Sequence, residues 1–272
     1  MHIVVCVKDI PNPEAPAALF SIDRETLRMV PVSGLSNVTS PFDEQALELA
    51  LREKDRHADI RVTAVCLGPK SSLQAVKRAL AMGADDGLHI HDPHTKAESS
   101  MVAAHVLANA IRDLGSADMV ITGRQAADWD VGIVGCGIAE ILGWPVVCVA
   151  GRTQVEGRLV EVDRSLEDGN ETVRSPLPCV VTASNEVGAP RKPSLRETMK
   201  SAKKQILVRE LEELWSVDQL KAAGLMLPRR VGLSARSSSV ECTYLADDVK
   251  TAAQEIFKLL RADVLGRGGS HA

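Results

Sequence analysis

At 272 residues, the chain is long enough to bury a full hydrophobic core, as one large domain or as a domain with an arm. Its 36 acidic residues against 32 basic ones give a formal charge of −4, which excludes a nucleic-acid binder that works through its whole surface. Aromatic residues make up 3% of the sequence, so platforms for stacked bases are scarce.

Residues 3–7 read as an apolar, β-branched strand, and no charged, apolar, small-residue leader pattern precedes them. A small hairpin is expected over 22–32, with Asp23-Arg24-Glu25 as its turn. Residues 41–56 form an amphipathic helix in which Ala46, Leu47, Leu49, Ala50 and Leu51 oppose Glu44, Glu48, Arg52 and Glu53. There follow a strand at 62–67, a helix at 71–82, a strand at 88–91, a helix at 98–114, a strand at 119–122 and a helix at 132–142. Alternation at this rhythm predicts a doubly wound α/β fold with a mainly parallel sheet covered on both faces. Ligands of such sheets bind beyond the strand C-termini, so the residues after Val7, Leu67 and Thr122 converge on one crevice.

After Trp144-Pro145 the texture changes to short β-like runs at 146–155, 158–163, 171–174 and 178–183, an antiparallel excursion that partly extends the main sheet. Residues 189–206 are rich in Pro, Lys and Arg. Beyond them come a short helix near 217–223, an extended stretch at 231–244, a final helix at 247–264 and a tail at 265–272 expected to be disordered. No run reaches the length of a membrane span, and a cytoplasmic location is expected. Of the six cysteines, Cys6, Cys66, Cys148 and Cys179 lie in strand-like runs, Cys136 on the small-residue helix and Cys242 in the late extended stretch. With no C-x-x-C present, they read as small buried hydrophobes.

The most informative segment is 118–140, DMVITGRQAADWDVGIVGCGIAE. A buried strand breaks at Gly123, passes through a polar loop and enters a helix lined by Gly132, Gly135 and Gly137. Free N–H groups and the dipole at such a helix start favour an anion, and glycines let a phosphate come close. The spacing is G-x-x-G-x-G rather than the dinucleotide fingerprint, so spacing alone leaves phosphate binding and tight helix–sheet packing both open. Asp128 and Asp130 would repel a phosphate, so a capping or loop-holding role, or a ribose contact, suits them better.

The wording of that segment resembles the beta subunit of electron-transferring flavoproteins, whose nucleotide loop carries T-G-(K/R)-Q-A-x-D-x-D. Val4 to Lys8 followed by Pro11, Ser40-Pro41-Phe42-Asp43, Gly68-Pro69, and the run from Arg78 to Asp85 match further family motifs in order. So do Pro190-Arg191 and the Ser194, Leu195, Met199, Lys200, Lys203 and Lys204 pattern. The resemblance implies a Rossmann-like fold of the adenine nucleotide alpha hydrolase type, here with an extended C-terminal arm. It also implies a nucleotide-binding domain over 1–188, a partner-recognition segment over 189–206, and an arm over 207–264 that contacts an alpha subunit. By the same resemblance, an adenine-nucleotide pocket is lined by Cys6, Ser40, Pro41, Phe42, Asp43, Leu67, Gly123, Arg124, Gln125, Ala126, Ala127, Asp128, Trp129, Asp130, Val131, Gly132, Ile133 and Val134.

Members of the family that hold AMP in this subunit carry Asn-Gln-Thr before the second glycine, whereas this chain reads Gly132-Ile133-Val134. Valine has no hydroxyl for a terminal phosphate. Electron-bifurcating members, which hold a second FAD here that NADH reduces, share Val-Gly and Gly-Ile-Ala-Glu but usually have Pro where Cys136 stands. The resemblance therefore favours FAD over AMP in this subunit, with a further FAD held mainly by the alpha subunit. The family's redox chemistry belongs to its flavin, and electrons pass from flavoprotein dehydrogenases of the acyl-CoA dehydrogenase type to a downstream acceptor.

Two other segments invite chemistry. Residues 189–205 hold six basic side chains against Glu197, with Leu195 and Met199 at i, i+4. An ordinary solvated helix would pack both inward; the resemblance makes Arg191, Leu195, Met199 and Lys200 a docking surface for partner flavoproteins, Leu195 being the exposed anchor. The run His89-Ile90-His91-Asp92-Pro93-His94 looks like a metal cluster but departs from metal-loop spacing, and reads as a polar strand end. No G-x-S-x-G elbow, P-loop or pyrophosphatase loop occurs, which leaves little room for a hydrolytic enzyme of this fold class. A stand-alone nucleotide-binding stress-type protein without redox role remains as an alternative.

Overall fold

All five residues of β1 (His2–Cys6) are buried, as a central strand covered on both faces requires. The computed structural model describes residues 1–16, 19–25, 27–30, 34–93, 99–215, 232, 244–245 and 248–267. After β1 come the short strands β2 (Asp9–Ile10), β3 (Ser21–Asp23), β4 (Arg28–Val30) and β5 (Val38–Thr39). Strands β3 and β4 make the expected hairpin, and β2 pairs antiparallel with β5. Four helix–strand units then follow: α1 (Pro41–Arg56) and β6 (Arg61–Gly68), α2 (Leu73–Met82) and β7 (Asp86–His91), α3 (Ser100–Asp113) and β8 (Met119–Gly123), α4 (Val134–Leu142) and β9 (Val146–Glu156). Strands β10 (Leu159–Leu166) and β11 (Gly169–Pro176) continue from β9 as an antiparallel meander, and β12 (Cys179–Ala183) returns parallel between β8 and β9.

These strands and β13 (Ile206–Glu210) form a nine-stranded sheet in the order β11-β10-β9-β12-β8-β1-β6-β7-β13. From β1 the chain steps to β6 and β7 on one side, then crosses to β8 on the other. That reversal places a crevice at the C-terminal ends of β1 and β8, where open α/β sheets take their ligands. Alternate residues of each strand serve opposite layers. Ile3 and Val5 pack with Leu47, Leu51, Val76 and Leu80 of α1 and α2. Val4 and Cys6 pack with Leu107, Ile111 and Ile138 of α3 and α4.

Three sequence expectations change. Glu48 and Glu53 do not lie on a solvated face of α1: they are 5% and 0% exposed. The Glu53 carboxylate accepts from Arg56 at 2.8 Å, from the Thr153 hydroxyl at 2.7 Å and from the Val155 N–H at 3.2 Å, so it pins α1 to β9. Residues 206–210, expected to end the recognition segment and begin the arm, add a parallel edge strand beside β7, and α6 (Leu211–Leu214) buries Leu211 and Leu214 in the core with Trp215. Ile206 is thus the first residue of a strand of the sheet, and the chain divides into the compact units Met1–Val231 and Gly232–Ala272. In the second unit the terminal helix, here α7 (Val249–Arg267), runs three residues into the expected tail. The helix expected near 217–223, the extended stretch at 231–244 apart from Gly232 and Tyr244, and Cys242 lie outside the described residues. Among the described residues, no helix is long and apolar enough to cross a membrane.

Within the segment 189–206, α5 (Leu195–Ser201) packs beside α2.

Candidate functional site

Cys6, Ser40 to Asp43 and Gly123 to Val134 meet at the sheet's reversal point. Asp43 in the first turn of α1 joins them: its carboxylate accepts the Lys8 N–H at 2.8 Å and the Gly123 N–H at 3.2 Å, tying the ends of β1 and β8. The side chain is almost fully buried. Burial pushes its carboxyl up from 3.8 to about 7 against the pull of those two amides and of Lys8. The folded chain thus keeps a proton that the unfolded chain has released, so this group's stabilisation is full at low pH and lost as pH rises. Between about pH 4 and 7, the wild type is expected to lose stability relative to Asp43→Asn, at no more than about 1.4 kcal/mol per pH unit. Thermal melts of the two proteins across that range check it; a wild type that gains on the variant with rising pH would overturn the assignment.

The loop that follows β8 is self-supporting. Lys8 Nζ grips both oxygens of Asp128 at 2.9 and 2.7 Å. Gln125 Nε2 donates to Asp130, and the Ala126 and Asp130 amides close the turn onto Val131 and Ala126 carbonyls. Asp130 sits at φ +59°, a strained position for a residue with a Cβ. Both aspartates therefore hold the loop; neither caps the helix. Lys8, which the sequence marks only as the end of the Val4-to-Lys8 motif and not as a pocket residue, is the clasp.

The loop delivers the start of α4 to the crevice. The helix begins at Val134, so Gly132 precedes it, and Ile133 at the cap position offers no side-chain acceptor. The first turn carries no acid. Its leading N–H groups and the positive end of the dipole thus face the crevice uncapped. Gly132 does not leave open room, as the sequence suggested: a Cβ there would stand 2.8 Å from the Arg124 carbonyl, so glycine is demanded by the loop's own path. Gly135 and Gly137 are packing glycines, their missing Cβ atoms facing Thr122, Thr182 and Ala104.

Arg124 brings the positive charge. Its guanidinium lies 4.9 Å over the Phe42 ring, and its amide is fixed by the Ala183 carbonyl at 2.8 Å. The buried Arg124 Nε and Ser40 Oγ have no hydrogen-bond partner within the chain. A buried donor left alone is costly, so an acceptor-rich ligand such as a phosphate fits this edge. Trp129 and Ile133, 48% and 47% exposed, form apolar shoulders beside it. Leu67 stands one strand further along, at the end of β6, partly buried against the core beneath α3. Cys6 is buried, which pushes its thiol up and leaves it unreactive. An adjoining cavity of about 490 Å³, into whose lining Pro41 falls, is also lined by Asp9, Glu14, Glu44 and Arg78; Arg78 is already paired with Glu44 at 2.9 Å, so the lining is net acidic and unsuited to phosphate.

The model of the electron transfer flavoprotein domain matches residues 32–214. The chain is 33% identical to electron transfer flavoprotein subunit beta of Megasphaera elsdenii over 212 residues, covering 76% of this chain and 77% of that one. It is 29% identical over 277 residues to protein FixA of Azorhizobium caulinodans, covering 95% and 94% of the two chains. With subunit CarD of the caffeyl-CoA reductase-Etf complex of Acetobacterium woodii it shares 31% over 214 residues, 79% and 80% of each. The chain belongs to the electron transfer flavoprotein beta family.

In this member of the electron transfer flavoprotein beta family, α5 and its flanks present a preset surface. Ser194 and Glu197 form a capping box at its start. Leu195 and Met199 are 77% and 66% exposed, so the inward-packing alternative does not hold within this chain. Lys200 is exposed beside them. Arg191 is not free: its amide and guanidinium bind Glu48 at 3.0 and 2.8 Å, and the guanidinium also binds Asp55 at 2.7 Å. Its role in this chain is to anchor the segment to α1. The histidine run is likewise absorbed structurally: His89 Nε2 meets Ser72 Oγ at 3.0 Å and His91 Nδ1 meets Glu210 at 3.1 Å, while His94 lies outside the described residues.

Proposed function

We propose that the chain is the beta subunit of a heterodimeric electron transfer flavoprotein that binds an adenine nucleotide at the mouth of α4. The observation that carries this reading is the uncapped start of that helix, set at the sheet's reversal point beside two buried polar atoms without partners. The N–H groups around Val134 and Gly135 would receive phosphate oxygens, Arg124 would offset their charge, and Ser40 and the Asp43-tied amides would frame the nucleoside. A flavin bound by the pair supplies exchange of one or two electrons. The chain's residues position it, exclude water beneath Trp129 and Ile133, and select the redox partner.

Of the two nucleotides, FAD suits this loop better than AMP. Val134 places a methyl-bearing side chain where a hydroxyl would close on a terminal phosphate, and Gly132-Ile133 leave the approach apolar. This supports a bifurcating form, in which NADH reduces the flavin held here. Acyl-CoA dehydrogenase-type flavoproteins are the proposed electron partners of the surface around Leu195.

Acid extraction of the purified heterodimer, with chromatography of the released nucleotides, tests the reading. Two FAD per pair is the expected result; one FAD with one AMP keeps the site and removes bifurcation. A pair that releases one nucleotide in all would overturn the site.

A further inference from the structure

One pair of thiols is used by nothing above. Cys136, exposed on the first turn of α4, has its Sγ 3.6 Å from Sγ of Cys148, half-buried on β9. That is van der Waals contact between the two sulfurs, beyond a disulfide bond length, with no side chain between them to keep a bond from forming. The meeting is produced by a local irregularity. The register between β9 and β12 shifts between Val181 and Ala183, and Val149, immediately after Cys148, is held at φ +59°. A β-branched residue in that region is strained, and the strain is held by a hydrogen bond from the Val149 N–H to the Thr182 hydroxyl at 3.0 Å. The irregularity re-aims β9 so that the Cys148 side chain reaches helix α4. Cys6, Cys66 and Cys179 are each buried, and none of the three is within bonding reach of another described thiol.

We infer that Cys136 and Cys148 form a reversible redox site, closed to an intramolecular disulfide by a small-molecule disulfide such as oxidised glutathione. The exposed Cys136 thiolate attacks one sulfur of the oxidant, expelling the first thiolate and leaving a mixed disulfide on Cys136. The Cys148 thiolate then attacks Cys136 Sγ and expels the second. Two protein thiols are oxidised, one small disulfide is reduced to two thiols, and two protons pass to solvent and the leaving groups. Burial and the neighbouring thiol hold Cys136 above the ordinary thiol value, so the first step is slow at neutral pH and the site answers to sustained oxidant. Transient bridges of this kind are the ones a reducing compartment tolerates. The closed bridge would fix the first turn of α4, whose N–H groups face the crevice, to strand β9.

The sequence makes the test direct. No Lys or Arg stands between the two cysteines, so trypsin releases both on the single peptide 125–152. The native full-length chain is treated with oxidised glutathione, quenched in acid, alkylated under denaturing conditions and digested. The expected peptide carries no alkyl group and is two hydrogens lighter than the dithiol; prior treatment with dithiothreitol restores two alkyl groups. In Cys148→Ser, the glutathione adduct on Cys136 is expected to accumulate, because the resolving thiol is gone. Recovery of wild-type peptide 125–152 with two alkyl groups, or with glutathione retained on either cysteine, would overturn the proposal.

Discussion

Gly135→Ala is expected to lower the unfolding free energy by about 2 kcal/mol and to empty the nucleotide site, the larger of the two effects being on binding. A Cβ at this position would lie 2.6 Å from Thr122 Oγ1 and 2.7 Å from Thr182 Cγ2. Neither threonine can step aside freely. Thr122 donates its hydroxyl to the Gly123 carbonyl at 3.0 Å, and Thr182 Oγ1 receives the Val149 N–H at 3.0 Å. Both side chains stand on buried central strands. The helix must therefore lift from the sheet, and its first turn carries the N–H groups that face the crevice. Adding Thr182→Ser, which removes the methyl and keeps the hydroxyl, is expected to restore part of both losses. Denaturant unfolding and nucleotide content of the purified pair check this. Wild-type stability in the single variant would show that α4 does not rest on β8 and β12 as described.

The reasons such glycines matter were only half visible in the sequence. The strand 119–122 and the helix after it stood out because an unbroken apolar run and a small-residue helix have few other readings. What each glycine faces was not, since that depends on strands β8 and β12, which lie side by side although about 60 residues separate them along the chain. The same limit explains α1. Its apolar stripe was legible, and the opposing Glu48 and Glu53 looked solvated by helical period. Their burial comes from Arg191, Thr153 and Val155, partners between 100 and 143 residues away. Periodicity sees one helix and cannot see a carboxylate bound by another element. Strand β13 was missed for a related reason: Ile206-Leu207-Val208 is a short apolar run beside a basic segment, and an edge strand exposes much of it, with Leu207 and Val208 about half exposed. The Cys136–Cys148 meeting was illegible because a bulge, not a spacing, creates it.

The loop fared differently. Its sequence wording pointed to a nucleotide site, and the geometry gathers Ser40, Asp43, Gly123 and Arg124 to one edge, with Lys8 added as the clasp. By charge, Asp128 and Asp130 suit a capping, loop-holding or ribose-contacting role better than a phosphate contact, and their pairing to Lys8 and Gln125 gives them the loop-holding one. What charge alone does not supply is the direction of a backbone amide. The uncapped face of α4 follows from Asp130 turning back to Gln125, a choice set by the left-handed backbone at that residue.

Leu195→Ala should slow electron transfer to the partner about tenfold to a hundredfold while leaving chain stability and nucleotide content unchanged, because the leucine touches little of its own chain. It is 77% exposed, and truncating a central apolar anchor of an interface typically costs about 1–3 kcal/mol of complex stability. On the proposed reading, such an anchor would gain from the segment that carries it being already ordered. Arg191 ties the entry to Glu48 and Asp55, the capping box fixes the first turn, and Lys204 Nζ binds the Ala84 carbonyl at 2.5 Å after the last. Little chain entropy is then left to lose on docking. Arg191→Ala is the contrasting variant: it leaves the buried Glu48 carboxylate with Arg52 as its remaining cation and frees the segment, so both chain stability and partner rate are expected to fall. Stopped-flow reduction by a partner dehydrogenase at several concentrations, set beside thermal melts, separates the two. A Leu195→Ala protein that transfers electrons at the wild-type second-order rate would mean that the partner docks elsewhere. Equal loss of stability in both variants would mean that Leu195 is held by its own subunit pair rather than offered to a partner.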